Sequence, residues 1–308
     1  MNNVPILFAE SVIRQLSELD RTKQLADLNS VIWRQPGKQQ SLLSTENCEW
    51  ELALAFLADT QTWTYRYKSS KSGAEFNANS KISKIGFYRG IWKPEDSFSK
   101  PMTHEQLKNS RLIPFALSRL VHKPELIFYP GDYSVFDSRG RWFSKIEMNY
   151  VGPESIEFLK TYIHSGHLEK LVLWQYWPDS FKELAHDFIR SKNFLDLDFS
   201  RDSLRSNTDV DTIKCLIDRL AFGTMRDKAF MCVFLRNKKS DIKTLINYRP
   251  DLRKKKKEPK PIESPHSWMN VFKRSYVPPT NLHWRAHGIE LKVSIEDSFA
   301  RCKASAIN

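Results

Sequence analysis

The feature that most constrains the fold is a regular alternation of short apolar strands and amphipathic helices through the middle of the chain. Runs rich in β-branched and aromatic residues recur at Ile82–Tyr88, Leu126–Tyr129, Phe143–Met148, Leu168–Trp174, Phe194–Phe199 and Ala229–Leu235. Helical patterns lie among them at Ser110–Val121, Ser155–His164, Ser180–Arg190 and Val210–Leu220. A spacing of about 25 residues between the later strand centres is typical of strand-helix units stacked into a curved, leucine-rich-repeat-like domain. Because parallel strands need crossover helices, we expect an α/β fold with a mostly parallel sheet.

The segments around this alternation divide the chain into four predicted parts. Proline and glycine at Pro36 and Gly37 end a pair of short apolar helices, and lysines and prolines later interrupt the strand-helix pattern. The parts are a helical unit at 1–36, an α/β repeat-like domain at 37–248, a basic flexible loop at 249–265 and a closing α/β segment at 266–308.

Three further elements are predicted outside the regular alternation. The stretch Cys48–Phe56 is predicted to be helical. The stretch Thr62–Tyr67 alternates aromatic and polar residues with the period of a strand, and Ile289–Ile295 does the same with aliphatic residues.

The composition indicates a folded protein that works in a reducing compartment. Hydrophobic residues make up 41% of the 308 residues and aromatic ones 12%, whereas disordered chains are poor in both. The four cysteines, Cys48, Cys215, Cys232 and Cys302, form no CxxC pair, so neither a disulfide framework nor a thiolate zinc site is indicated. The apolar N-terminal run is too short for a signal peptide, and no apolar stretch reaches membrane-spanning length. We therefore expect a cytoplasmic protein, with the nucleus as an alternative location.

The net charge of +12 raises the question of an anionic partner. The segment from Arg249 to Lys260 contains seven basic and two acidic residues, and the rest of the excess positive charge is spread over the chain. This spread argues against nucleic acid as the partner. The run Lys254, Lys255, Lys256 and Lys257 has three interpretations: a solvated loop, a nuclear localisation signal or a nucleic-acid contact. The last two define the alternative function, a basic nuclear or nucleic-acid-binding protein.

Two parts of the sequence resemble a known family. The pattern Val4-Pro5, Phe8, Val12-Ile13 and Leu16, followed by Val31-Ile32-Trp33, resembles a short F-box. The stretches Leu171–Pro178 and Phe194–Phe199 are similar to the F-box-associated C-terminal region of the large nematode-type F-box families. The resemblance covers most of the chain. It implies a substrate receptor whose N-terminal helices bind a Skp-type adaptor of a cullin ubiquitin ligase, while the repeat region captures a protein target that the sequence does not identify.

The residues that would contact the adaptor form one apolar pattern. They are Pro5, Phe8, Val12, Ile13 and Leu16. An F-box offers such a surface to a groove on its partner, which is the helix-in-groove mode of recognition. The alternative is that these side chains only pack against the repeat region as its terminal cap.

The common catalytic motifs are absent from the sequence. It contains no GxGxxG, Walker A, HExxH or GxSxG string. The pairs His164/His167 and His283/His287 have spacings that could present two imidazoles together, but no carboxylate or cysteine completes a zinc ligand set. We expect a protein without enzymatic activity, cofactor or metal.

The candidate residues for target binding lie in the repeat region. Asp196 and Asp198 fall on one face of a predicted strand, where they are either an acid/base pair or solvated side chains on the concave face. Repeat proteins use their concave face for binding, so we assign these aspartates to target capture. Trp174 lies at a strand end with Tyr176 and Trp177, and this aromatic cluster is either a binding anchor or part of the core.

Overall fold

The computed structural model describes most of the strand-helix region in two compact units. The described residues are 49–69, 76, 80–89, 99–129, 136, 141–199, 210–235, 238–253, 280–296 and 299–307. The units are Met1–Val151 and Gly152–Asn308. The predicted helical unit at 1–36 and the lysine run at 254–257 lie outside the described residues, and the four-part division of the chain stays a prediction.

The described residues of the first unit form a mixed sheet and two short helices. Its strands are β1 (Glu49–Leu57), β2 (Thr62–Ser69), β3 (Lys81–Arg89), β4 (Leu120–Phe128) and β5 (Lys145–Asn149). Its helices are α1 (His104–Asn109) and α2 (Leu112–Ser118). The strand order is β2-β1-β3-β4-β5, in which β1 and β2 form an antiparallel hairpin and the other neighbours are parallel.

The predicted helix at Cys48–Phe56 is wrong, because this stretch forms strand β1. The strand lies between β2 and β3, so both of its edges are paired, and side chains on both of its faces are buried. Leu52 and Leu54 are fully buried on one face, and Ala53 and Ala55 are fully buried on the other. A strand that is buried on both faces loses the alternation of apolar and polar residues. Its run of Ala and Leu, which are both strong helix formers, therefore reads as a helix.

The second unit combines three parallel strands with an antiparallel group. Its strands are β6 (Lys170–Trp174), β7 (Asp196–Asp198), β8 (Phe230–Phe234), β9 (Thr280–Ala286), β10 (Ile289–Glu296) and β11 (Phe299–Ala306). Its helices are α3 (Pro153–His164), α4 (Lys182–Arg190), α5 (Val210–Ala221) and α6 (Lys238–Asn247), with a short 3-10 turn at Asp179–Phe181. The order is β6-β7-β8-β11-β10-β9; the neighbours β6, β7 and β8 are parallel, and the remaining pairs are antiparallel.

The predicted α/β class is confirmed, and parallel pairings outnumber antiparallel ones among the described strands. The predicted strands at Leu168–Trp174, Phe194–Phe199 and Ala229–Leu235 correspond to β6, β7 and β8. Among the described helices, none has the length and apolar character that crossing a membrane would require.

One face of the second sheet forms the core of its unit. A row of apolar side chains, one from each strand, is at most 4% exposed: Leu171, Leu197, Met231, Cys302, Val293 and Leu282. Helix α4 adds Leu184, Ala185, Phe188 and Ile189, which share one side of that helix and are all buried. Burial of a large aliphatic or aromatic side chain stabilises the fold by about 1.5–3 kcal/mol.

Helices α5 and α6 are linked to this buried face through Tyr248, which follows α6. The Tyr248 hydroxyl donates to Asp218 Oδ1 on α5 at 2.7 Å. The Tyr248 carbonyl accepts a hydrogen bond from Trp284 Nε1 on β9 at 3.1 Å. Trp284 is fully buried and lies opposite Leu291, so the contact is on the core side of the sheet.

A buried arginine on α5 ties together the ends of two helices. Arg219 is 4% exposed, and its guanidinium donates to the carbonyls of Ile189, at the end of α4, and of Ser191, the latter at 2.7 Å. It also donates to the carbonyl of Thr224 beyond its own helix, and its guanidinium carbon lies 5.5 Å from the centroid of the Phe194 ring. These contacts satisfy carbonyls that a helix end leaves without partners inside the helix.

Candidate functional site

The predicted target-binding residues Trp174, Asp196 and Asp198 lie on the same side of the second unit's sheet. In the β6–β7 register, Lys170 is opposite Asp196 and Val172 is opposite Asp198. Trp174 follows Val172 by two residues, so it shares that side. This is the side opposite to the buried apolar row, and we call it the polar face.

The polar face presents two adjacent rows of side chains that run across all six strands. The first row consists of Lys170, Asp196, Phe230, Lys303, Lys292 and His283. The second row consists of Val172, Asp198, Cys232, Arg301, Ser294 and Asn281. In these twelve positions, charged and polar residues outnumber apolar ones, whereas the corresponding row on the other side is entirely apolar. The sheet is therefore strongly two-faced.

The two aspartates share one side of β7, which belongs to the polar face. Leu197 lies between them along β7 and is fully buried on the opposite side, and Phe199 is 1% exposed. Asp196 and Asp198 are half-buried. Alternation of side chains along a strand explains why Leu197 enters the core while both aspartates lie on the polar face. Among the residues that the structure describes, no group of three or more His, Cys, Asp or Glu side chains could hold a metal ion.

The three aromatic residues after β6 have different environments. Trp177 is 1% exposed, and its Nε1 donates to the carbonyl of Trp174 at 3.1 Å. Its ring lies 4.7 Å from that of Phe181, centroid to centroid, so Trp177 belongs to the core. Trp174 is half-buried and Tyr176 is 47% exposed. Of the cluster, Trp174 and Tyr176 are therefore the members that a partner could contact.

The basic residues of β10 and β11 are a part of the polar face that the sequence patterns did not single out. Lys292 is directly opposite Lys303, and Arg301 shares their side of the sheet. All three side chains are exposed. The alternation in Ile289–Ile295 predicts the side on which Lys292 lies, but β11 was not predicted from the sequence. Without strand β11, the sequence could not predict that the two lysines are cross-strand partners.

The histidines of the pair His283/His287 each contact a group of the protein itself. His283 Nδ1 lies 3.4 Å from Glu290 Oε1, and Arg285 Nε donates to the same oxygen at 2.8 Å. The hydrogen bond from Arg285 holds the pKa of Glu290 below its usual value, with a smaller contribution from His283. His287 lies beyond β9, where its Nε2 donates to the carbonyl of Ala221 at 3.0 Å. The two imidazoles thus have separate partners.

The remaining predicted site residues cannot be placed. Pro5, Phe8, Val12, Ile13 and Leu16, which would bind the adaptor, and Lys254, Lys255, Lys256 and Lys257 lie outside the described residues.

The fold and the polar face define a class of protein: a mixed α/β chain whose second sheet buries one side and presents a charged surface on the other. Comparisons with protein-family models, with curated proteins and with solved structures found no match.

Proposed function

We propose that this chain is an F-box-like substrate-recognition protein of a cullin-type ubiquitin ligase. In this proposal the N-terminal helices bind a Skp-type adaptor, and the α/β region is a leucine-rich-repeat-like scaffold that binds a target protein. The protein acts without catalysis or a cofactor. It works in the cytoplasm, or in the nucleus if Lys254, Lys255, Lys256 and Lys257 form a localisation signal.

The observation that carries the proposal is the polar face. Six neighbouring strands lie about 4.8 Å apart, so the face extends for about 24 Å across the sheet. Small-molecule sites are concave and mostly apolar, whereas a broad face with charged and aromatic side chains suits contact with a protein. The positions of Trp174, Asp196 and Asp198 on this face support their assignment to target binding.

Adaptor binding rests on the N-terminal pattern and its resemblance to an F-box. Ile13 lies in the double hydrophobic position of that pattern. If the helix binds in an apolar groove, a charge at Ile13 would be desolvated without a partner, which is strongly unfavourable.

Co-purification with a Skp-type adaptor tests this step on the full chain. We expect the wild-type chain and the control variant Gln15→Asp to retain the adaptor and Ile13→Asp to lose it. The control places the same acidic residue on a neighbouring polar position. If the wild type forms no complex, or if Ile13→Asp binds as well as the wild type, the ligase role is wrong.

The alternative function is nucleic-acid binding, which the net charge of +12 and the exposed Lys292, Lys303 and Arg301 favour. Contacts to phosphates release counterions, so the affinity for a duplex or a single strand would fall steeply with salt. A salt titration decides this alternative, since an absent signal at low salt would exclude it.

A further inference from the structure

The strands β10 and β11 place two lysines side by side on the polar face. Lys292 and Lys303 are direct partners in the antiparallel register. Side chains at such positions have Cβ atoms about 4.5–5.5 Å apart, and like charges there destabilise the sheet. Arg301 precedes Lys303 by two residues and adds a third exposed positive charge on the same side. We call these three residues the basic patch.

The surroundings of the two lysines do not neutralise them. Glu290 is two residues from Lys292 on the same side, but its carboxylate is engaged by Arg285 and His283. Across the sheet, the partner of Lys303 on β8 is Phe230, which is uncharged. In the described part of the chain, neither lysine forms an ion pair.

The nearest acidic residues in the other direction are on β7. Asp196 and Asp198 are the partners of Phe230 and Cys232 on β8, and these in turn are the partners of Lys303 and Arg301 on β11. Two strand spacings correspond to about 10 Å. The aspartates therefore border the basic patch on the β7 side.

We propose that the basic patch is the docking site for an acidic peptide segment of the protein that this chain captures. The carboxylates of the segment would lie between Lys292 and Lys303 and relieve their repulsion. Phe230, which is half-buried beside Lys303, offers an apolar contact for a neighbouring side chain of the segment. The inference rests on the proposed function for the identity of the partner as a captured protein.

The shape of the charged region favours a peptide over nucleic acid. Asp196 and Asp198 lie across β8 from the patch, so a phosphate backbone continuing across the sheet in that direction would meet carboxylates. An acidic segment of a few residues carries its charge only where the lysines are. The aspartates on β7 also limit the extension of the segment in that direction, because further carboxylates would be repelled there.

Fluorescence anisotropy with a labelled oligo-glutamate peptide tests the proposal on the full chain at low salt. The test variant is Lys292→Gln/Lys303→Gln, and the matched control is Lys160→Gln/Lys192→Gln, which changes the net charge equally at two exposed lysines on α3 and directly after α4. We expect the test variant to bind the peptide on the order of tenfold more weakly and the control to bind like the wild type. Because the test variant removes a like-charge pair, its midpoint of urea unfolding should not fall, which separates a binding defect from misfolding.

Three results would overturn the inference. In the first result, the test variant binds the peptide as tightly as the wild type does. In the second, the control variant weakens binding as much as the test variant does. In the third result, an oligothymidylate of matched charge binds the wild type more tightly than the peptide does and loses affinity in the test variant, which identifies a nucleic-acid site. Co-purification of the adaptor is scored separately. If it fails while the peptide results hold, the ligase role is wrong and the docking site stands; the reverse outcome removes only the docking site.

Discussion

Replacement of Arg219 by methionine should strongly destabilise the second unit. The guanidinium donates to three carbonyls, those of Ile189, Ser191 and Thr224. The Ser191 carbonyl also accepts from the Phe194 amide at 3.2 Å, so the substitution deprives chiefly the other two of their partner. Leaving a buried acceptor without a partner costs about 1–3 kcal/mol.

The net decrease in the free energy of unfolding is smaller than the sum of the contributions of the lost hydrogen bonds. Burial lowers the pKa of Arg219, because the charged guanidinium is partly desolvated in the fold. Methionine removes that cost while filling much of the same volume. We therefore expect a decrease of about 3 kcal/mol in the free energy of unfolding. With a urea m-value of about 3 kcal/mol per molar, the unfolding midpoint would fall by about 1 M.

Urea unfolding followed by tryptophan fluorescence and far-UV circular dichroism measures this change. Arg190→Met is the matched control: its side chain is 64% exposed on α4 and its ion pair with Asp187 spans 3.7 Å, so its loss should cost less than about 1 kcal/mol. Arg219→Lys should fall between the two, because one ammonium cannot reach all three carbonyls. A midpoint for Arg219→Met equal to that of Arg190→Met would refute the structural role assigned to this guanidinium.

Two further substitutions test local packing and a local charge. A Cβ atom at Gly86 would clash with Cε2 of the Tyr88 ring. Gly86→Ala should therefore lower the free energy of unfolding by about 1–2 kcal/mol in the wild type and by much less in a Tyr88→Ala background. A double-mutant cycle measured by urea unfolding would contradict this contact if the two costs were equal. For Glu290, whose folded-state pKa is depressed first by Arg285 and then by His283, the stabilisation is present above the unfolded pKa of about 4.3 and is lost as the pH falls through the folded pKa. Wild type should therefore lose up to about 1 kcal/mol more than Glu290→Gln between neutral and acidic pH, and parallel pH profiles of the unfolding midpoint would exclude this.

The helices of the second unit were predictable because each buries one stripe. The predicted Ser155–His164 and Val210–Leu220 agree with α3 and α5 to within about two residues. In α4 the apolar residues recur at the helical period and enter the core, so local spacing and tertiary burial impose the same pattern. Where the two agree in this way, the sequence alone is informative.

The strands that escaped prediction are those whose burial depends on distant neighbours. In β11 the core side is formed by Ala300, Cys302 and Ala304, which are all fully buried. Small residues give a weak alternation of hydrophobicity, and alanine favours helices. They are accommodated because β8 and β10 pair with β11 on both sides, which the local sequence does not reveal. The same reasoning applies to Ala53 and Ala55 in β1.

The residues of the candidate site also differ in how far the local sequence could predict their positions. The side of β7 on which Asp196 and Asp198 lie follows from alternation within three residues, and the sequence sufficed to predict it. The opposition of Lys292 and Lys303 follows from strand register, which depends on the turn between β10 and β11 and on the burial of Val293 against Cys302. A shift of one residue would bury the lysines and expose the core. The fold therefore specifies the register strongly, although no local sequence pattern predicts that register.

The strict separation of the two faces explains why the charges of the second unit's sheet are concentrated on one side. Because the row of side chains that packs against the helices is fully apolar, the charged residues of these strands lie on the polar face. The order of the strands then determines which charges are neighbours. That order places carboxylates on β7, uncharged Phe230 and Cys232 on β8, and cations on β11 and β10. The backbones of β7 and β11 are two strand spacings apart, about 10 Å. A complementary partner would therefore place an acidic group over β11 and β10 and a basic group toward β7, and a partner with the same net charge in the reverse order would meet repulsion.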